Sequence, residues 1–407
     1  MQHTDGRNGT GSSLPDLVCL SHLRWNFVFQ RPQHLMSRFA RERRVFFVEE
    51  PAWGPGPTSL KVVRSPEGVW VATPHIQVEG ATQVTPDPPP GTRVEPEELA
   101  AIQRELLAAL LADHGVDDFV LWYYTPMALA FSGKLQPRAV IYDCMDELSA
   151  FSGAPPILVQ REGELMRRAD VMFTGGHHLY EAKRERHPNV HPFPSSVDVP
   201  HFAQARQGPA DPADQAGIPH PRIGYCGVID ERMDLALLEA VARARPDWQF
   251  VMVGPVVKIN PATLPSLPNI HYLGGKHYKE LPSYLASWDV AMLPFARTPA
   301  TRFLSPTKTP EYLAAGKPVV STSIRDVVRP YGELGLVRIA DTPEDFVQAI
   351  EANLSQSREA WLPKVDEFLS RLSWDHTWRG MKGRIDEAVA GRPRWNLDSS
   401  LEPLSDM

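Results

Sequence analysis

Apolar runs of strand length alternate with amphipathic helical stretches along most of this chain. In the first half, runs at 17–20, 45–48, 69–72, 119–123, 140–142 and 171–173 predict strands. Between them, 33–43 is amphipathic, and 97–113 sets Leu99, Ile102, Leu106, Leu107 and Leu110 on one face of a helix. A proline-rich loop covers 86–91. The alternation stops at 204–221, a stretch rich in Ala, Gly, Pro and Asp, and then starts afresh. Strands are predicted at 222–227, 249–254, 270–273, 290–293 and 319–322, and helices at 235–245, 278–288, 307–315 and 343–354. The helix at 307–315 has a clear stop, Gly316 followed by Lys317-Pro318. One or two further helices run to about residue 390.

Strands that alternate with helices and are apolar throughout imply parallel sheets covered on both faces. The expected fold class is therefore α/β, with two Rossmann-like domains built on parallel sheets. The expected borders are a disordered amino terminus at 1–13, a first domain at 14–205, a linker at 206–220 and a second domain at 221–372. A helix at 373–391 would cross back to the first domain, and 392–407 would form a disordered tail. Binding sites in such sheets lie at the carboxyl ends of the strands.

The length of 407 residues and 43% hydrophobic content suffice for two cores. A net charge of −7 gives no reason to expect nucleic acid as a partner. The basic cluster Arg38, Arg41, Arg43 and Arg44 reads as a solvated helix face, with anionic lipid as the alternative. Cys19 and Cys226 lie in strand-like runs, Cys144 is the third cysteine, and no CxxC pair exists. Neither a disulfide framework nor a zinc site is indicated, and a reducing compartment fits. The polar amino terminus has no apolar segment of the secretory kind, and no run is long enough to span a bilayer. The expectation is a cytoplasmic protein that would reach a membrane lipid from the inner surface.

The segment from Phe303 to Thr322 contains Ser-Pro-Thr-Lys-Thr-Pro-Glu-Tyr-Leu-Ala-Ala-Gly-Lys-Pro-Val-Val. It resembles the nucleotide-sugar signature of the retaining glycosyltransferases with the GT-B fold, in the form seen in a bacterial cell-envelope, teichuronic-acid-type subgroup, and that resemblance implies that the parallel sheets of the two Rossmann-like domains face across a cleft. The resemblance extends to 251–254, 269–274 and 288–294, and to 21–38, 142–151 and 174–196 in the first half. The physics of the motif agrees. A helix start offers N–H groups and a positive dipole end to phosphate. Ser305, Pro306 and Thr307 precede this helix, with hydroxyls on Ser305 and Thr307, and Lys308 adds a full charge. Glu311, one turn on, matches the residue that accepts the ribose hydroxyls in the family. One departure stands out: where many members carry an acid that contacts the donor sugar, eight positions before Glu311, this chain has Phe303.

Further donor-side candidates follow from the same match. Gly227 ends the first strand of the second half, and Arg232 follows as a phosphate candidate whose field Asp230 and Glu231 would damp. Gly254 with Lys258, and Gly274 after the strand beneath the base, complete the set; His277 and Tyr278 lie close to that strand's end. In the first half the family's glycine loop is replaced by Arg24, Trp25, Gln30, Arg31 and His34, an aromatic and basic loop. Arg24, Trp25, Gln30 and Arg31 are taken as acceptor-binding candidates. Arg31 stands just before Pro32 at a helix start and is suited to bidentate contact with phosphate.

Asp143, Asp146 and Glu147 follow a buried strand. Unpaired carboxylates are costly to bury, so all three are expected at the cleft. Asp143 and Glu147 are assigned to the acceptor, and Asp146, with Lys308 and Arg232, to catalysis. The glycine turn at 175–176 brings His177 and His178 in as further candidates. No metal is expected, because the acids stand in the context of a metal-independent fold.

The resemblance implies transfer of a sugar from a nucleotide diphosphate sugar to a glycan, lipid-linked or small-molecule acceptor. It implies retention and no resident cofactor, the nucleotide sugar being a co-substrate. Two alternatives remain at this stage. One is a sugar-nucleotide epimerase or hydrolase on the same fold, since hydrolysis of glycosides also uses two carboxylates. The other is a non-catalytic nucleotide-sugar-binding protein. A nicotinamide dehydrogenase is disfavoured, since no strand is followed by GxGxxG.

Overall fold

The computed structural model describes residues 14–391; the tails expected at 1–13 and 392–407 lie outside the described residues. The chain divides into two compact units. Within the described residues, 14–24, 36–141 and 386–391 form unit 1, while 25–35 and 142–385 form unit 2.

Unit 1 carries β1 (Asp16–Leu20), β2 (Val45–Val48), β3 (Ala52–Gly54), β4 (Ser59–Arg64), β5 (Trp70–Gln77) and β6 (Phe119–Tyr123). Their order is β3-β5-β2-β1-β6, with β4 on β5. All pairs are parallel except β4 with β5. Leu17, Val18, Val45, Phe46 and Phe47 are fully buried, as strands covered on both faces require. The short β3 and the edge strand β4 were not legible as apolar runs. β4 alternates exposed and half-buried positions and carries Lys61 and Arg64, charges that discourage further pairing at an edge. β5 runs five residues beyond the apolar run at 69–72, through Pro74, because β4 pairs with it from Trp70 to His75 and β3 from His75 to Gln77.

The chain passes from unit 1 to unit 2 within β7 (Ala139–Cys144). Unit 2 continues with β8 (Val171–Thr174) and β9 (Val190–Pro192), paired in parallel. It then forms a six-stranded parallel sheet from β10 (Arg222–Cys226), β11 (Gln249–Val253), β12 (Ile270–Gly274), β13 (Val290–Leu293), β14 (Val319–Ser321) and β15 (Val337–Ile339). The order is β12-β11-β10-β13-β14-β15, that of a doubly wound Rossmann sheet. Trp288 packs on β10 at Gly224, where an added Cβ would lie 1.9 Å from the indole ring.

Three local expectations are revised. The stretch 278–288 is not one helix: a 3-10 turn at Tyr278–Glu280 leads into a helix at Leu281–Ala286, and Pro282, which lacks an N–H, sits in that helix's first turn. The motif helix is Lys308–Ala314, closed by Gly316 at φ +72 with Lys317 N donating to Tyr312 O. The linker-like stretch is tightly bound: Gln215 is fully buried, donates to Asp211, Tyr284 O and Ser287, and accepts from Trp288 Nε1 at 2.9 Å. The last helix, Trp374–Ala390, begins in unit 2, and its final residues count with unit 1, where Asp386 meets Arg43 at 3.5 Å.

Candidate active site

In the six-stranded sheet the strand order reverses between β10 and β13, the position at which doubly wound folds bind ligands. The loops leaving these two strands are stitched together: Asp234 N donates to Pro294 O and Ala296 N to Arg232 O, each at 2.8 Å. Beside them, three glycines line the carboxyl ends of β10, β11 and β12. Gly254 N donates to Gly274 O at 2.8 Å, and a Cβ on Gly254 (φ +149) would lie 1.8 Å from Gly227 O. Only glycine permits that backbone approach. Lys258 is exposed in the following loop at φ 60, the one non-glycine residue with positive φ among the described residues. Among the described residues no three His, Cys, Asp or Glu side chains group to hold a metal ion.

Ser305, Pro306 and Thr307 lead into the motif helix, and Lys308 Nζ donates to Glu311 Oε2 at 2.6 Å. The side chains of this pair are 15% and 7% exposed, so the pair lies at the rim of the core and retains access to solvent. Burial pushes the Glu311 carboxyl up, opposed by the charges of Lys308 and His201. Burial pulls the Lys308 ammonium down, but the Glu311 carboxylate outweighs it and the net direction is up. The helix has only seven residues, so its dipole is modest and the Lys308 charge carries more of the local field. Tyr312, which the sequence reading leaves without a role, is linked to the site. Its hydroxyl accepts from Cys226 N at 2.6 Å and donates to Cys226 O at 3.1 Å. These bonds lie just past the last registered β10–β13 pair, Gly224 with Ala291, and fasten the motif helix to the end of β10.

Arg232 is half-engaged. Asp230 takes its Nε and Nη2, at 2.9 and 2.7 Å, while Nη1 makes no hydrogen bond among the described residues. Glu231 turns away to accept from Ser152 N at 3.1 Å. Asp146 lies in the field of Arg232. Burial raises its carboxyl to about 6, against the pull of Arg232 and Arg31 and with the help of Asp230 and Asp143. A carboxyl held near neutrality at a strand end is the kind of group active sites use.

The other two acids have different tasks from those the sequence implies. Asp143 is fully buried and takes Arg31 Nε at 2.9 Å and Nη2 at 2.8 Å; Arg31 Nη1 also donates to Phe193 O at 2.6 Å. Arg31 and Asp143 are thus each other's core partners, not acceptor ligands. Glu147 pairs with buried Lys183 at 2.6 Å, and Lys183 also holds Glu162 at 2.7 Å. Of the remaining acceptor candidates, Arg24 donates in unit 1 to the carbonyls of Glu50, Pro51 and Pro86. Trp25 is buried, with its carbonyl bonded by Gln33 Nε2. Gln30 stays half-buried, its N–H given to Gln33 Oε1. The ring of Tyr278 stacks on His201 at 4.3 Å, and His277 caps the turn that follows it with Glu280.

His177 and His178 lie beside the motif. The N–H groups of both donate to Asp326, at 2.9 and 3.1 Å, and the His178 ring packs on Phe303 at 4.8 Å. Asp326 was overlooked: it lies five residues past the end of β14, in a short helical turn, whereas Asp143 directly follows the apolar run at 140–142.

The family model for glycosyl transferases group 1 matches residues 220–356, the stretch that holds the six-stranded sheet. A putative teichuronic acid biosynthesis glycosyltransferase, TuaH of Bacillus subtilis (strain 168), is 28% identical over 286 residues, covering 64% of this chain and 70% of that protein. Among solved structures, the E. coli trehalose-6-phosphate structure bound with UDP-2-fluoro glucose aligns at TM-score 0.66 and 13% identity, over 93% of this chain and all (100%) of that one. The sucrose-phosphate synthase of Thermosynechococcus elongatus aligns at TM-score 0.67 and 15% identity, with the same coverage. Anabaena HepE in complex with UDP and glucose aligns at 0.60 and 12% identity, over 92% and 100%. Likeness at such identities speaks for the fold; the family match and the Bacillus relative speak for the activity. The chain is a glycosyltransferase built on the GT-B fold, and its residues 220–356 match the group 1 model.

Proposed function

We propose that the donor is a nucleotide diphosphate sugar, held at the switch point of the six-stranded sheet, and that transfer proceeds with retention and without a metal ion. The observation that carries this reading is the Lys308–Glu311 pair, beside three glycines at the carboxyl ends of parallel strands. Glu311 accepts the ribose hydroxyls. Lys308 and Nη1 of Arg232 stabilise the diphosphate as it leaves, an electrostatic contribution made in a site from which water is partly excluded. The bond from the anomeric carbon to the phosphate oxygen breaks, the bond to the acceptor oxygen forms on the same face, and the acceptor proton passes to the departing phosphate. Asp146 orients the acceptor by accepting a hydrogen bond from a hydroxyl next to the reacting one, which leaves the reacting hydroxyl's proton for the phosphate.

The acceptor is a glycan or lipid-linked saccharide of the cell envelope, a reading supported by the Bacillus relative. No described helix is long and apolar enough to cross a membrane. In this reading a lipid-linked acceptor is met at the cytoplasmic membrane surface. The function is tested by a thermal-shift and turnover screen of UDP, GDP and their sugars, with and without EDTA. A bound ligand at a hundred times its Kd stabilises by about 2.7 kcal/mol. A shift that survives EDTA supports the reading; no shift with any nucleotide sugar sinks it.

Asp146 adds a pH test. With its carboxyl at about 6, Asp146 is ionised at neutral pH and gains its proton as the pH falls through that value. Transfer should therefore drop on the acid side of about pH 6, about tenfold per unit once the group is protonated. Asp146→Asn should lower the neutral rate and flatten that acid limb; a limb that persists unchanged assigns the titration to another group.

A further inference from the structure

The turn between β8 and the helix His177–Lys183 is fitted to the motif loop by its backbone. A Cβ on Gly176 would lie 2.2 Å from Asp326 Oδ2 and 2.9 Å from Ser305 Cβ, so only a glycine lets the turn approach this closely. Asp326 is 7% exposed, and its two oxygens accept separately from the N–H groups of His177 and His178. Such charge-assisted bonds are among the stronger contacts a side chain makes. His178 Nδ1 bonds Arg302 O at 2.8 Å, and its ring lies on Phe303. On the other side, Gly175 N donates to Cys144 O at 2.8 Å, and a Cβ on Gly175 would lie 2.4 Å from Met145 O, next to Asp146. The turn therefore touches both the motif loop at Ser305 and the loop that carries Asp146. Arg325 and Glu181 add an ion pair at 2.5 Å, but both are exposed, and such pairs contribute little.

We infer that Asp326 is a positioning residue for the sugar end of the donor site, fastening the 175–178 turn against the Ser305 loop. The inference rests on the proposed donor reading. In that reading Glu311 takes the ribose and Lys308 the diphosphate. Ser305 precedes Lys308 by three residues, on the side of the motif away from Glu311 along the chain, and we place the sugar next to it. Asp326 itself touches backbone, so its effect passes through the turn. The nucleotide half of the donor is held without it, while the sugar half meets a wall that Asp326 sets in place.

The test uses the full chain and compares wild type, Asp326→Ala and, from the opposite side of the same contact, Gly176→Ala. Hydrogen exchange at the His177 and His178 amides is measured with UDP, UDP-glucose, GDP and GDP-mannose, together with Kd for each. In wild type both amides should be protected, and a nucleotide sugar should protect them further than its nucleotide alone. In Asp326→Ala that protection should vanish while β10–β14 stay protected. Kd for the nucleotide should move less than about twofold, and Kd for the nucleotide sugar should weaken about tenfold or more. Unprotected amides in wild type overturn the inference, as do equal losses for nucleotide and nucleotide sugar, or no loss for either. If wild type binds none of the four probes, the donor reading fails and the inference falls with it. That failure is distinguishable, because amide protection in the unliganded chain is read independently.

Discussion

Glu311→Gln should weaken binding of a nucleotide diphosphate by about 10- to 100-fold and lower transfer to match. The substitution keeps the side-chain volume and one acceptor oxygen but removes the charge. Hydrogen bonds to an ionised acceptor are worth about 1.5–3 kcal/mol, against about 1 kcal/mol for neutral ones. Two such bonds to a ribose would weaken together. The variant also leaves the Lys308 ammonium without its partner at 2.6 Å, so some loss of stability is expected and must be separated from the binding effect. Calorimetry does this directly, since Kd is read on folded protein well below its melting temperature. An unchanged Kd would remove Glu311 from the nucleotide site. Lys308→Met is the useful companion. It should weaken the diphosphate while sparing the bare nucleoside, whereas Glu311→Gln should weaken both.

The largest effect on stability is expected from Arg31→Met. Arg31 is 1% exposed and Asp143 is fully buried. The arginine ties together its own segment, the end of β7 at Asp143 and the chain after β9 at Phe193 O, and its Nη2 reaches Met381 Sδ at 4.0 Å. Removing it strands a buried carboxylate, which costs about 3–5 kcal/mol. The expected readout is a clear fall in the urea midpoint. Arg31→Met combined with Asp143→Leu should recover most of the loss, because the penalty comes from the stranded charge more than from the lost pair. A double variant as unstable as the single one would show that the bonds to Phe193 O and Met381 matter more than the charge. The pair also explains why an acid and a base assigned to an acceptor can instead be structural: burial of each is tolerable only because the other is present.

The amino-acid sequence by itself determined the alternation of parallel strands and helices, the restart after 204–221, and the motif from Ser305 to Gly316. Those features are local. Parallel strands buried on both faces must be apolar throughout, and a helix that ends at Gly316 is written in adjacent residues. The sequence also brought Lys308 and Glu311 to one place, because residues three apart on a helix share a face. Tertiary structure decided the rest, where the deciding partner is distant in sequence. β4 is seen only through its pairing with β5, and its own residues lack a strand's apolar pattern. Asp143 finds Arg31 112 positions away, and Glu147 finds Lys183; only a folded chain can turn a costly buried carboxylate into a neutralised one. For Asp146, in the same short stretch, burial outweighs the pull of Arg232 and Arg31 and raises the carboxyl to about 6. His177 and Asp326, 149 positions apart, meet for the same reason. Charge and hydrogen-bonding capacity are written residue by residue, but whether each is spent inside the fold or kept for a ligand depends on which distant group the fold delivers to it.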